Sequence, residues 1–151
     1  MSSDNEAEQW TITCQCKQTV LQARGEPIQV AICHCADCRK AQGGKHATEN
    51  LVLMRRDQIV SDLAELKVLP AEEFNDQVPR YFCASCDSCL VGDCTPVGFN
   101  MVIVPTVCIS ADANIHKPDY HMHLAEGITK PDTDGLPQYQ GNPEDPHMEA
   151  L

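Results

Sequence analysis

Ten cysteines stand in this chain of 151 residues, and their spacing restricts the fold more than any other feature. They fall into three close groups, Cys14-x-Cys16, Cys33-x-Cys35-x-x-Cys38 and Cys83-x-x-Cys86, with Cys89, Cys94 and Cys108 left over. What such groups do depends on the redox compartment. The opening MSSDNEAEQW is acidic and polar, the opposite of a secretory leader, and no apolar run approaches the roughly 20 residues of a membrane span. The expected location is therefore the cytosol. There thiols stay reduced, and clustered cysteines point to metal or catalysis rather than to disulfides.

Zinc takes four tetrahedral ligands, and a short Cys turn supplies two of them from one loop. Cys14 and Cys16 have no other partner close in sequence, and neither do Cys83 and Cys86. Joined, they make a closed, structural four-thiolate site that ties together two distant stretches of chain. Cys33, Cys35 and Cys38 remain with an open fourth position, the mark of a catalytic zinc. The expected load is two Zn2+ per chain. Two alternatives stand beside this reading. His34, His46 or a later histidine could close the second site and make it structural. Alternatively, Cys83, Cys86, Cys89 and Cys94 nearly match the spacing of a ferredoxin cluster, although Cys94 comes one residue late and Cys14 and Cys16 are then unused.

Around the cysteines, short runs rich in β-branched residues predict strands: residues 9–13, 19–24, 28–32, 51–54, 65–69, 80–82 and 99–104. ADCRKAQ (36–42) predicts one or two helical turns ended by Gly43 and Gly44. RRDQIVSDLAEL is ambiguous between helix and loop. From Lys130 four prolines and several acids predict an extended tail on the surface, frayed at its end. The chain reads as one mostly β domain over 10–141, with an acidic lead at 1–9 and an acidic tail at 142–151. Aromatic residues make up only 5% of it, so metal is a useful supplement to the core. A formal charge of -11 argues against nucleic acid or anionic membrane as a partner. Nothing in the sequence fixes an oligomeric state.

The ordered combination Cys-x-Cys, CHCADCRK and RYFCASC, followed by Asp112, Pro118, His121-x-His123 and LPQYQG, resembles the glutathione-dependent formaldehyde-activating enzyme family, which includes centromere protein V-like domains. The resemblance runs from about Trp10 to Gly141. It implies an all-β, Mss4-like (β-tent) fold with two zinc ions. Cys14, Cys16, Cys83 and Cys86 correspond to the structural site, and Cys33, Cys35 and Cys38 to the catalytic one. The implied activity is a carbon-sulfur lyase or adduct synthase joining glutathione, or a similar small thiol, to formaldehyde. The competing expectation is a zinc-stabilised protein-interaction module. This chain departs from the family at Lys17 and Asp87, where the family has glycine in a turn that favours positive φ, and in KPDTDG, which lacks the family's late aromatic residue.

The remaining candidates are weaker. Cys89, Cys94 and Cys108 read as small buried hydrophobes, with a redox role near the metal as the alternative for the first two. His34 reads as a neighbour of the ligands, or as solvent-facing, rather than as a ligand. His121 and His123, on one side of a strand, either line the open site or form a solvated pair. Arg39 and Lys40 either attract the carboxylates of an anionic thiol or are ordinary surface charge.

Overall fold

The computed structural model describes residues 9–44, 48–110, 113, 115, 117–127 and 134–141. Asp112 and His46 lie outside them. Nine strands are found among the described residues: β1 (Gln9–Thr13), β2 (Val20–Arg24), β3 (Gln29–Cys33), β4 (Glu49–Met54), β5 (Lys67–Leu69), β6 (Arg80–Phe82), β7 (Cys89–Asp93), β8 (Val102–Pro105) and β9 (Tyr120–Met122). One helix, α1 (Ala36–Ala41), follows β3. The ambiguous stretch after β4 is a single 3-10 turn, Arg56–Gln58, and then loop.

β1 and β2 form a two-stranded sheet, and the other strands form a seven-stranded sheet in the order β5-β6-β7-β8-β4-β3-β9. All neighbours are antiparallel except β3 and β9. Side chains alternate across a strand, so each central strand of the large sheet feeds two cores. Val30, Val52, Met54, Val102 and Val104 point to one face, where Trp10, Ile12, Leu21 and Ala23 of the small sheet cover them. Ala31, Cys33, Leu51 and Leu53 point to the other, where Cys38, Val78, Met101 and Tyr120 pack on them. The closed cysteine group belongs to the first face and the three-cysteine group to the second.

Gly92 permits one close approach in the sheet. It sits between Arg80 and Ile103. A Cβ there would lie 2.6 Å from Ile103 Cγ1 and 3.6 Å from Arg80 Cγ, so any other residue would have to displace the Ile103 side chain. Of the tail, residues 134–141 are described and run beside β9. His121 pairs with Gln138, and the N–H groups of His121, His123 and Ala125 donate to the carbonyls of Pro137, Gly141 and Gln140.

Candidate metal centres

The sulfurs of Cys14, Cys16, Cys83 and Cys86 lie within 4.8 Å of one another, and so do those of Cys33, Cys35 and Cys38. In the first group Cys14 and Cys16 Sγ are 3.4 Å apart and Cys16 and Cys83 Sγ 3.7 Å apart. In the second, Cys33 Sγ is 3.2 Å from Cys35 Sγ and 3.3 Å from Cys38 Sγ. These separations are far too long for a disulfide and close to the edge, roughly 3.8 Å, of a tetrahedron with metal–sulfur bonds of about 2.3 Å. The donor sets therefore fit metal ions.

Two similar turns build the four-sulfur group. Lys17 N–H donates to Cys14 O (3.0 Å), and Asp87 N–H donates to Cys83 O (3.0 Å). Both turns need a left-handed residue after the second cysteine, and Lys17 (φ 65°) and Asp87 (φ 58°) occupy that region without being glycine. Gln15 N–H donates to Ser88 Oγ and Ser85 Oγ donates to Gln18 Oε1, which clips one turn to the other. Donors also surround the sulfurs: Thr19 Oγ1 bonds Cys83 Sγ at 3.2 Å, and Ser88 Oγ bonds Cys86 Sγ at 3.1 Å. Such donors favour thiolate. The Thr19 hydroxyl pulls the Cys83 pKa down, and the Ser88 hydroxyl pulls that of Cys86 down to about 5.

The three-sulfur group is fully buried and arises from the β3–α1 junction. Cys35 caps α1, its sulfur accepting the Cys38 N–H at 3.2 Å. Bonds from Cys33 and then Cys38 hold the Cys35 thiol well below its ordinary range. Asp37, also buried, accepts the N–H groups of Asn75 (2.9 Å) and Asp76 (3.0 Å) and so docks the helix on the loop before β6. From that loop Asp76 binds Arg80 through both carboxylate oxygens at 2.9 Å, while Arg80 also donates to Val78 O and lies 4.3 Å from the Phe74 ring centre. Arg80 is 2% exposed. Burial opposes its charge, but Asp76 and the sulfurs of Cys38 and Cys89 outweigh that and raise its pKa. A fixed cation thus stands beside the three-sulfur group.

Among the described residues no histidine joins either group. His34 is buried, not solvent-facing. Its ring turns away from the sulfurs next to it in sequence, and its Nε2 lies 3.0 Å from His121 Nδ1. His121 Nε2 in turn meets Asp134 Oδ2 at 2.8 Å. Burial, then His121, lowers the His34 pKa. The expected shared face of His121 and His123 is not formed, because β9 ends at Met122 and His123 turns into the left-handed region (φ 58°) beside Glu126. Cys94 and Cys108 are buried and Cys89 partly so, and burial pushes their thiols up to about 12, 11 and 12 respectively. Neither Cys89 nor Cys94 joins Cys83 and Cys86, so the ferredoxin-like spacing is not realised. Arg39 donates to Glu126 O, and Lys40 is held by Glu73 and lies over Phe74.

A cavity of about 630 Å³ lies between α1, the start of β4 and the Cys86–Cys89 turn, where Cys86 of the four-sulfur group is part of its wall. A recess of about 20 Å³ adjoins it, sharing Ala41, Gln42, Glu49, Cys89 and Pro105 with the cavity wall and reaching Cys38 and Arg80. Glu49 is the residue that composition and spacing do not single out. It pairs with Cys33 across β3 and β4, so the two side chains share a face. Burial pushes its carboxyl up to about 7.

Paired cysteine turns on opposite faces of a mostly β sandwich define a class of protein, a β domain with one closed and one three-cysteine candidate metal centre. Within that class, the family model described as glutathione-dependent formaldehyde-activating enzyme matches residues 9–126. The chain belongs to that family, and its mixed large sheet, small sheet and single described helix fit the Mss4-like fold. A comparison with curated proteins found no match. No helix among the described residues is long and apolar enough to cross a membrane.

Proposed function

We propose that this protein is a zinc-dependent, cytoplasmic carbon-sulfur lyase or adduct synthase acting on a small thiol and an aldehyde, with S-(hydroxymethyl)glutathione formation as the reaction its family suggests. One observation carries the reading. Three buried sulfurs from a single junction gather without a fourth protein ligand among the described residues, whereas the other group has all four. A site built only for stability has no need of that vacancy in its donor set.

In this reading Cys14, Cys16, Cys83 and Cys86 hold the structural zinc, and Cys33, Cys35 and Cys38 hold the catalytic one. Bound there, zinc would supply a free coordination position that takes a sulfur as thiolate at neutral pH. In the synthetic direction the thiol sulfur bonds to the aldehyde carbon and the thiol proton ends on the carbonyl oxygen. The lyase direction reverses both, and neither needs an oxidant. The chain's own residues hold and orient. The Cys38 N–H fixes the Cys35 sulfur, Asp37 anchors the helix that carries Cys38, and Arg80, paired with Asp76, places a positive charge near Cys38. The recess that reaches Cys38 opens toward the larger cavity, which gives the body of the thiol a place.

Calorimetry of the zinc-loaded protein with glutathione tests this. Binding should occur and should be lost in Cys35→Ser with the fold retained. Formaldehyde exchange into the adduct should then exceed the spontaneous rate. An absence of binding by glutathione and other small thiols would replace the enzyme reading with a zinc-stabilised interaction module.

A further inference from the structure

The outer cavity, which meets the three-sulfur group only through the recess that reaches Cys38, carries three ionisable carboxyl or amino side chains on its wall, Lys40, Glu49 and Asp87. Two of them are occupied. Lys40 is held by Glu73 and covers Phe74, and Asp87 Oδ1 lies 3.1 Å from Lys67 Nζ, where both side chains are well exposed. Glu49 has neither a hydrogen bond nor an ion pair to its carboxyl among the described residues, although it is partly buried. A carboxylate withdrawn from water without a donor or counter-ion is costly, and a ligand cation would remove that cost.

Its position gives the unmet charge a direction. Glu49 lines both the outer cavity and the narrow recess, so it stands at the neck between them. The recess reaches Cys38, and its volume of about 20 Å³ holds one water-sized group or a slim –CH2–SH arm, not a bulky one. The outer cavity, at about 630 Å³, accepts the larger remainder of a small ligand. Across the β3–β4 pair Glu49 also faces the same side as Cys33.

We infer that Glu49 is a specificity-determining residue that pairs with the ammonium group of an aminothiol, whose thiol arm enters the recess toward Cys38 and whose body lies in the outer cavity. The inference rests on the thiol-binding reading above and narrows its substrate class to thiols bearing a primary ammonium. Neutral and purely anionic thiols of the same length gain nothing at Glu49.

The test compares cysteamine with 2-mercaptoethanol, which differ in ammonium against hydroxyl on an equal carbon chain. Both are titrated into the zinc-loaded wild-type protein and into Glu49→Gln. The wild type should bind cysteamine about tenfold more tightly than 2-mercaptoethanol, in line with one charge-assisted hydrogen bond. In Glu49→Gln that preference should collapse to about twofold or less. The wild-type comparison stands whether or not the variant folds well. Equal binding of the two thiols by the wild type, or a preference that survives in a folded Glu49→Gln, overturns the role of Glu49 and leaves thiol capture intact. Binding of neither thiol overturns the thiol-site reading itself, and this inference with it.

Discussion

Replacing Arg80 by methionine removes the buried cation beside the three-sulfur group while keeping most of the side-chain volume. Arg80 is 2% exposed and makes two bonds of 2.9 Å to Asp76 and one of 3.0 Å to Val78 O. Breaking a buried pair by deleting one partner costs about 3–5 kcal/mol, chiefly because the other charge is left unpaired. Asp76 is 35% exposed, so it can rehydrate, which brings the expected loss to the lower end, about 3 kcal/mol. Urea unfolding of the zinc-loaded protein at pH 7 measures this, and the thermal midpoint should fall by about 6–12 °C for a chain of this size. Asp76→Asn combined with Arg80→Met should recover part of the loss, since no bare carboxylate then remains. Metal binding provides an independent readout: the three-sulfur group should release zinc to a chelator more readily in Arg80→Met, and the four-sulfur group should not change. A loss under about 1 kcal/mol, or equal release from both groups, would refute the view that this ion pair supports the site.

Cys14→Ser or Cys83→Ser should reduce the yield of soluble, folded protein far more than Cys35→Ser; similar losses in all three would make both groups structural. Lys17→Gly should stabilise the protein by about 0.5–1 kcal/mol in urea unfolding, because the left-handed φ of 65° strains lysine and glycine's extra freedom in the unfolded chain returns only part of that gain. Glu49 has its folded-state pKa raised from 4.5 to about 7, so the wild type should lose stability as the pH rises through that window. At equal zinc load Glu49→Gln should lack this loss and be the more stable form at pH 8 by about 1–2 kcal/mol, a figure discounted for partial exposure; identical pH profiles would contradict it.

How much of this the sequence discloses depends on how local the cause is. β1 and β6 coincide with QWTIT and RYF, and α1 begins at Ala36 and ends just before Gly43 (φ 76°) and Gly44 (φ 72°), because propensity and turn chemistry act within a few residues. The cysteine groups are legible for the same reason, since ligands from one turn must be close in sequence. β7 escapes that reading. Gly92 weakens its strand pattern, and only the flanking Arg80 and Ile103 reveal why glycine is there. β9 has three residues and takes its place from a parallel pairing with β3, about 90 positions earlier, which no local pattern encodes. Arg80 looks like surface charge until Asp76 and Phe74 close around it. Glu49 gains its meaning from the β3–β4 register that sets it across from Cys33.

The same distinction between local and distant closure separates the two centres physically. Cys16 and Cys83 meet across 67 residues, whereas Cys33 and Cys38 are five apart. With loop-closure entropy growing as the logarithm of length, the longer closure is worth about 2 kcal/mol more to the folded chain than the shorter. Loss of metal from the four-sulfur group therefore leaves the small sheet tied to the β6–β7 turn by the Gln15–Ser88 and Gln18–Ser85 hydrogen bonds across a long closure, a weakening that reaches the global fold. Loss from the three-sulfur group frees only one junction that Asp37 and the Asp76–Arg80 pair still hold from outside. The exchange of thiol proposed above for the three-sulfur group would need that independence. Its ligands can change company while the sheet beneath them, anchored from the opposite face, stays in place.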